Sequence, residues 1–291
     1  MKLLLFGASG MLGFAVHRVL HDRGYDVTGV LRSDKGPDSQ WCGGLEYLHN
    51  VDAENFQDVM RVIERARADV VINAAGVKSV SSTPGDVRRL YAVNSVFPRL
   101  LDFAARSLGY YLIHFSTDGV FSGRRGMYTE SSLPDATDPY GTSKFLGEAL
   151  GERALVLRTS IIGRGISPND SLLDWLLRQS GAVRGFRRAV FSGLPVNEIA
   201  NVLAVRVLPR PTPLTGLFHL SAEPISKCDL LDLVRATWSL DQIQISADDS
   251  YVVDRSLDSS LLRKEIEYVP AAWEQLLAEM RTFYRGLDGK V

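Results

Sequence analysis

The sequence predicts an α/β protein built around a parallel sheet. Short apolar runs alternate with segments whose apolar residues recur at helical spacing, and this alternation continues from Leu3 to about residue 160 without an internal repeat. Such alternation is typical of a parallel sheet covered by helices on both faces, with right-handed crossover connections. A chain of 291 residues, of which 45% are hydrophobic, is large enough to bury such a core.

The first predicted elements are the strand Leu3–Phe6 and a helix over Met11–Arg23, which Gly24 ends. Further strands are predicted over residues 25–33, 45–52, 69–76, 110–117 and 154–160, and further helices over residues 53–68, 87–108 and 138–150. Beyond Ser160 proline breaks are more frequent and strand runs are fewer, although "GLFHLS" suggests a late strand. This change indicates a smaller C-terminal lobe.

Charge and cysteine content exclude several classes of function. The 33 lysines and arginines nearly balance the 34 aspartates and glutamates, so no net field favours nucleic acid or a membrane as partner. Cys42 and Cys228 are far apart and lack metal-ligand spacing, which predicts no metal site and a reducing compartment. No apolar run has the length of a signal-peptide core or a membrane span, so we expect a cytoplasmic protein.

The stretch "FGASGMLG" places glycines at intervals of three between the first strand and the first helix. Glycines at this turn permit a sharp bend and close approach of a pyrophosphate, which the helix N-terminus then binds. An ordinary loop is the alternative, because the spacing G-x-x-G-x-x-G differs from the common G-x-G-x-x-G. The candidate pyrophosphate-binding residues are Gly7, Ser9, Gly10, Met11, Leu12 and Gly13.

Residues at the ends of later strands suggest the rest of a dinucleotide site. Arg32 ends the second strand, where an arginine suits a ribose 2′-phosphate, so we expect NADP(H), although Asp34 leaves NAD(H) possible. Asp52 is either an adenine ligand or the N-cap of the following helix. Small residues at the end of the fourth strand favour either cofactor contact or close packing; they are Ala74, Ala75 and Gly76.

A second group of residues has the chemistry of a ketone reductase. Thr117 and Asp118 end the fifth strand, at the edge where open α/β sheets bind ligands. Tyr140 and Lys144 are four residues apart and therefore share a helix face. A nearby ammonium lowers the pKa of a tyrosine, which would make Tyr140 a general acid, while Thr117 donates to the same substrate oxygen. The alternative is a chance arrangement of surface residues.

These motifs together resemble the extended short-chain dehydrogenase/reductases, and within them the dTDP-4-dehydrorhamnose reductase family. The resemblance rests on "FGASGMLG", "HFSTDGVFSG", "DPYGTSKFLGE" and "LRTSIIGRG". It implies a Rossmann-type doubly wound sheet and reduction of the 4-keto group of a nucleotide-linked 6-deoxyhexose. It also implies that Asn94 belongs to a proton relay and that Asp118 is the acidic neighbour of the catalytic threonine. Substrate contacts are implied for Val120, Phe121 and Arg255.

The sequence departs from the family after the fourth strand, where Lys78 replaces an acidic stretch. Lys78 and the basic loop that contains Arg187 suit a substrate diphosphate, although a solvated basic loop is the alternative. The resemblance also leaves open an epimerase or dehydratase that retains NAD, and a non-catalytic regulatory subunit. We expect residues 1–160 to form the NADP(H)-binding domain, which strands from about 187–220 can rejoin. Residues 161–291 then form mainly the substrate lobe of a monomer or homodimer.

Overall fold

A seven-stranded parallel sheet forms the centre of the molecule in the computed structural model, which describes residues 1–34, 40–78, 83–148, 151–166 and 171–289. The strands of this sheet are β1 (Lys2–Phe6), β2 (Asp26–Val30), β3 (Glu46–Leu48), β4 (Val70–Asn73), β5 (Tyr111–Thr117), β6 (Ala154–Thr159) and β11 (Gly216–His219). Their spatial order is β11-β6-β5-β4-β1-β2-β3, with every neighbouring pair parallel. The order reverses between β1 and β4, which makes the sheet doubly wound. The predicted Rossmann-type fold is confirmed.

Helices cover both faces of the sheet. They are α1 (Met11–Asp22), α2 (Phe56–Ala66), α3 (Pro84–Tyr91), α4 (Phe97–Leu108), α5 (Pro139–Leu146), α6 (Leu172–Leu176), α7 (Val196–Val202), α8 (Lys227–Trp238), α9 (Ser260–Glu265) and α10 (Trp273–Asp288). A π turn at Ala92–Val96 joins α3 to α4, so the predicted helix 87–108 is one helix with a local widening. In the described ranges, no helix combines the length and the apolar character needed to cross a bilayer.

Short strands after β6 form three small sheets beside the central one. They are β7 (Ile161–Ile162), β8 (Gly181–Phe186), β9 (Ala189–Phe191), β10 (Leu194–Pro195), β12 (Ile225–Ser226), β13 (Ile243–Asp248) and β14 (Val253–Asp254). The late strand predicted in "GLFHLS" is β11, and it returns to the central sheet as the partner of β6. Residues 79–82 and the last two residues of the predicted helix 138–150 lie outside the described part of the chain.

The alternating side chains of β1 place apolar groups in two cores. Leu3 and Leu5 belong to the core shared with α1 and α7, whereas Leu4 and Phe6 belong to the core shared with α2 and α4. All four side chains are buried. A strand buried on both faces reads as a continuous apolar run, which is why β1 was predictable from sequence.

The first helix packs against the first strand without room for a side chain at Gly13. A Cβ atom built there would lie 2.0 Å from the Gly7 carbonyl oxygen, which belongs to the backbone and cannot rotate away. Gly7 itself has φ +82°, a conformation that favours glycine, and its own Cβ would meet the Ala75 nitrogen at 2.5 Å. The spacing of these two glycines is therefore a packing requirement of the turn.

We predict that Gly13→Ala lowers the free energy of unfolding by about 2 kcal/mol, because the added methyl forces α1 away from β1. Gly286→Ala is the matched control, since a Cβ at this exposed position of α10 meets no atom within 4 Å. It should raise stability by about 0.5–1 kcal/mol through helix propensity. Urea denaturation of both variants checks the pair, and an unchanged midpoint for Gly13→Ala would contradict the packing interpretation.

Candidate active site

A cleft of about 660 Å³ opens at the carboxyl edge of the sheet, where β1, β4, β5 and β6 end. Ligands of open α/β sheets bind at this edge, beside the point where the strand order reverses. The lining residues are Ser9, Gly10, Met11, Leu12, Ala74, Ala75, Gly76, Lys78, Phe115, Ser116, Thr117, Asp118, Gly119, Tyr140, Lys144, Thr159, Ser160, Ile161, Gly165, Ile166 and Arg255. The cleft thus joins most of the predicted cofactor-binding residues to the predicted catalytic residues Thr117, Asp118, Tyr140 and Lys144, whereas Gly7 and Gly13 do not line it.

One end of the cleft is formed by the N-terminus of α1. Gly10 is the N-cap residue and no side chain caps this helix, so its first N–H groups remain open to an anion. Ser9 and Gly10 are exposed and line the cleft. Unsatisfied N–H groups and the positive end of the helix dipole together favour phosphate binding. The residues present therefore fit the pyrophosphate of a dinucleotide.

Two buried asparagines hold the small-residue loop that follows β4. The Asn73 side chain accepts a hydrogen bond from the Ala75 N–H at 3.1 Å, and its Nδ2 lies 3.2 Å from His114 Nδ1. The Asn94 side chain accepts from the Val77 N–H and donates to the Val77 carbonyl, both at 2.9 Å. The backbone that lines this side of the cleft is therefore fixed from behind.

Asn94 occupies the π turn between α3 and α4, in which the Phe97 N–H bonds to the Ala92 carbonyl five residues earlier. Such turns are frequent at functional sites because they reorient one side chain within a helix. The Asn94 amide also donates to Ser143 Oγ on α5 at 3.0 Å. Asn94 is fully buried and does not line the cleft. It connects the loop after β4 to the helix that carries Tyr140.

Thr117, Tyr140 and Lys144 meet in the cleft as the sequence predicts. Thr117 is the last residue of β5, and Tyr140 and Lys144 lie one turn apart on α5. The Asp138 side chain starts this helix by accepting from the Gly141 N–H at 2.9 Å. An N-cap two residues before Tyr140 thus sets where the helix enters the cleft.

Lys144 is almost completely buried, with 5% of its surface exposed, and its Nζ donates to the Phe115 carbonyl at 2.6 Å. Burial lowers the pKa of this ammonium to about 8, while the Glu148 carboxylate acts in the opposite direction. Desolvation disfavours the charged form of a lysine, so the lysine charge depends on its neighbours.

The pKa of Tyr140 is raised, chiefly by burial, and the Asp118 and Asp138 carboxylates add to the effect. The Thr117 hydroxyl and Arg255 act in the opposite direction. The sequence predicts that Lys144 brings this pKa towards neutrality, but burial of the phenol, the largest influence, raises it instead. Tyr140 therefore holds its proton firmly in this structure.

A second cavity of about 360 Å³ adjoins the cleft and shares Asp118, Ser160 and Arg255 with it. Burial raises the pKa of Asp118, and Arg255 and Lys227 oppose that rise. The Lys227 ammonium lies 4.0 Å from the centroid of the Phe191 ring. The other lining residues are Leu172, Trp175, Arg184, Phe186, Ala189, Val190, Leu231, Tyr251 and Val253. The cavity combines aromatic rings with cations.

Arg32 and Asp52 lie after β2 and β3, outside the cleft lining. Arg32 is exposed. The Asp52 carboxylate accepts from the Glu54 N–H at 3.0 Å, and Asn55 is the N-cap of α2. The alternative interpretation of Asp52 as the helix N-cap is therefore wrong.

Three other predicted substrate residues do not line the cleft. Val120 and Phe121 are fully buried, and Phe121 stacks on Tyr128 with ring centroids 4.1 Å apart. Arg187 is exposed and lines neither the cleft nor the second cavity, and its Nε donates to Asp249 Oδ1 at 2.8 Å. Burial of their apolar side chains accounts for the positions of Val120 and Phe121. An ion pair with a residue distant in sequence accounts for that of Arg187.

The structure adds cleft residues that sequence reasoning did not single out. Ser160 follows β6, whose pairing with β5 places Thr159 opposite Thr117. The ends of paired parallel strands meet at one edge of the sheet. The polar residues that end "LRTS" could therefore have indicated that Thr159 and Ser160 line the cleft. Lys227 carried no such signal, since its approach to Asp118 depends on long-range folding.

The fold and the cleft define a Rossmann-type protein with a reductase-like set of side chains. The model of the RmlD substrate binding domain family matches residues 1–285, and the chain belongs to this family. The resemblance identified from the sequence motifs is thereby confirmed.

Individual relatives agree with this assignment. The dTDP-4-dehydrorhamnose reductase of Escherichia coli (strain K12) is 27% identical over 230 residues, which cover 76% of this chain and 73% of that protein. The enzyme of the same name from Aggregatibacter actinomycetemcomitans is 26% identical over 306 residues, covering 97% and 99%. The solved dTDP-4-dehydrorhamnose reductase of Bacillus anthracis in complex with NADP has a TM-score of 0.80 at 19% identity, covering 97% of this chain and 99% of that one.

We predict that Asn94→Ala lowers the free energy of unfolding by about 3 kcal/mol, because it removes the hydrogen bonds of the buried Asn94 side chain to the Val77 backbone and to Ser143 Oγ. Hydrogen exchange at the Val77 amide should accelerate more than exchange in β5. Asn55→Ala, which removes the exposed N-cap of α2, is the control and should cost about 1 kcal/mol without affecting Val77. Equal exchange at Val77 in both variants would show that Asn94 does not hold the loop.

Proposed function

We propose that this protein uses NADPH to reduce the 4-keto group of a nucleotide-linked 6-deoxyhexose in deoxysugar biosynthesis. The observation that carries the proposal is the convergence of Thr117, Tyr140 and Lys144 in a cleft that also contains the uncapped N-terminus of α1. Membership of the family and the names of the relatives support the same reaction.

The cofactor is held by the first half of the chain. The turn from Gly7 to Gly13 binds the pyrophosphate, and Arg32 binds the ribose 2′-phosphate. Asp52 accepts from the adenine amino group, and the Ala74–Gly76 backbone contacts the middle of the dinucleotide. When bound, NADPH supplies the hydride for the keto carbon.

Side chains of the protein supply the proton and stabilise the charge that its transfer creates. Tyr140 donates it to the substrate oxygen as negative charge develops there, and Thr117 donates a hydrogen bond to the same atom. The raised pKa of Tyr140 keeps the phenol protonated until that moment. Lys144 holds the nicotinamide ribose and stabilises the phenolate that remains.

The second cavity accepts the nucleotide end of the substrate, mainly from residues 161–291. Trp175 and Tyr251 offer aromatic surfaces for a base, while Lys227 and Arg255 offer cations for a diphosphate. Lys78 reaches the same substrate from the cofactor cleft. Asp118 orients Arg255 and Lys227 through their mutual attraction.

The direct test is NADPH oxidation over a panel of nucleotide-linked 4-keto-6-deoxy sugars, with NMR of the product to fix the new hydroxyl configuration. Stoichiometric NADPH consumption supports the proposal. Retained NAD that does not exchange, with no net consumption, supports an epimerase or dehydratase instead. Absence of turnover together with stoichiometric recovery of a partner enzyme supports a regulatory subunit.

We predict that Tyr140→Phe lowers kcat by at least about 10²-fold, because the proton donor is lost while the ring remains. The dissociation constant for NADPH, from fluorescence titration, should stay within about twofold, since the phenol ring still fills its place. Tyr128→Phe is the matched control, because Tyr128 is buried outside the cleft against Phe121. A Tyr140→Phe enzyme with undiminished kcat would exclude Tyr140 as the acid.

We also predict that Arg32→Ala raises the KM for NADPH about tenfold and leaves the KM for NADH unchanged, because one charge-assisted bond to the 2′-phosphate is removed. Arg23→Ala is the control, because Arg23 precedes β2, at the end of the strand opposite Arg32, and bonds to Asn201 there. Equal loss with both cofactors would place Arg32 outside the ribose site.

A further inference from the structure

Glu148 is a buried carboxylate that the reaction as proposed does not use. It lies four residues after Lys144, just beyond the end of α5, with 5% of its side chain exposed. Arg158 on β6 donates two hydrogen bonds to its carboxylate, from Nε at 2.9 Å and from Nη2 at 2.7 Å. The Ser116 hydroxyl on β5 donates to the same carboxylate. A carboxylate buried with one guanidinium and one hydroxyl is fully fixed in position.

The two residues that bind Glu148 lie opposite each other on neighbouring strands. Ser116 is paired with Arg158 across β5 and β6, so both side chains lie on the same face of the sheet. Phe115, the residue before Ser116, provides the carbonyl that accepts from Lys144 Nζ. Glu148 and Lys144 are thus both hydrogen-bonded to β5, at the adjacent residues Ser116 and Phe115.

Lys144 needs a negative neighbour if it is to remain charged. Its direct hydrogen bond goes to a neutral carbonyl, and burial lowers its pKa to about 8, against which Glu148 acts. On β5 the buried His114 also faces Lys144, and its own pKa is lowered well below the usual range by burial, so it adds no positive charge at neutral pH. Glu148 is therefore the group that favours the ammonium form.

The remaining charged neighbours do not replace Glu148. Arg158 is positive and is itself paired with the carboxylate. His219 on β11 lies 3.4 Å from Arg158, and burial lowers its pKa to about 4, so it is neutral at working pH. Tyr140, on the cleft side of the same helix, keeps its proton because burial raises its pKa.

We propose that Glu148, fixed by Arg158 and Ser116, is a positioning residue that keeps the buried Lys144 ammonium charged and sets the depth of α5 against the sheet. This role rests on the proposed function of Lys144 but concerns a different group. Its consequence is that the charge on Lys144 persists to higher pH than burial alone permits.

The test measures the protonation of Lys144 directly in the ligand-free protein. A trace of acetic anhydride labels neutral amines, and peptide mass spectrometry across the neutral and alkaline range gives the labelling midpoint of Lys144. In Glu148→Gln this midpoint should fall by about one pH unit, a tenfold loss of ammonium at a given pH. The alkaline limb of kcat/KM and the pH above which NADPH binding weakens should move by the same amount.

Glu148→Gln leaves Arg158 buried without its counter-charge and is at risk of unfolding. The charge-neutral double variant Glu148→Gln/Arg158→Gln avoids this and should show a smaller fall in the Lys144 midpoint, because loss of the Arg158 charge partly offsets loss of the carboxylate. Asp102→Asn is the matched control, because Asp102 is another buried carboxylate, 3.4 Å from Arg106 on α4, and its loss should leave the midpoint in place.

A wild-type midpoint in either folded Glu148 variant overturns the proposal, as does an equal fall in Asp102→Asn. Loss of folding in both Glu148 variants assigns the pair a structural role alone and overturns it as well. The labelling needs neither cofactor nor sugar. A failed substrate screen with a shifted midpoint therefore refutes the proposed reaction and not the role of Glu148, whereas the reverse pattern refutes only the latter.

Discussion

The parallel register of the central sheet is the constraint on which the site depends. The strands β1, β4, β5 and β6 are parallel and lie next to one another in the sheet. Their last residues therefore lie at one edge. The glycine turn, the small-residue loop and Thr117 follow from strands that are far apart in the chain. A shift of one residue in the register of β5 would turn Thr117 away from the cleft, since side chains alternate between the faces.

The predictable parts of this structure are those whose cause is local. Gly13 is needed because its Cβ would meet the Gly7 carbonyl within the same turn, and Tyr140 and Lys144 share a face because four residues span about one helical turn. Asn94 was identified through family resemblance, whereas its bonds to Val77 and Ser143 arise from two segments that only folding brings together.

The parts that sequence could not predict depend on partners distant in the chain. Arg187 has the composition of a phosphate ligand, but Asp249 lies beside it and the pair is exposed. Glu148 reads as an ordinary helix-end carboxylate until Arg158 is found on the neighbouring strand. Phe121 lies within the motif "HFSTDGVFSG", yet its ring is buried against Tyr128, so proximity in sequence to Thr117 did not bring it to the cleft.

The raised pKa of Tyr140 keeps the proposed acid protonated but makes it a weak proton donor, so the reaction needs groups that stabilise its phenolate. A donor of low pKa would lose its proton before the substrate oxygen gained charge, whereas a buried phenol releases it only when a stronger base appears beside it. Arg255 favours the resulting phenolate from one side, and the buried ammonium of Lys144 can do so from the same helix only while it is charged. In the proposed reaction, the proton transfer therefore depends on a lysine charge that burial opposes and that, by our inference, the Glu148 carboxylate maintains.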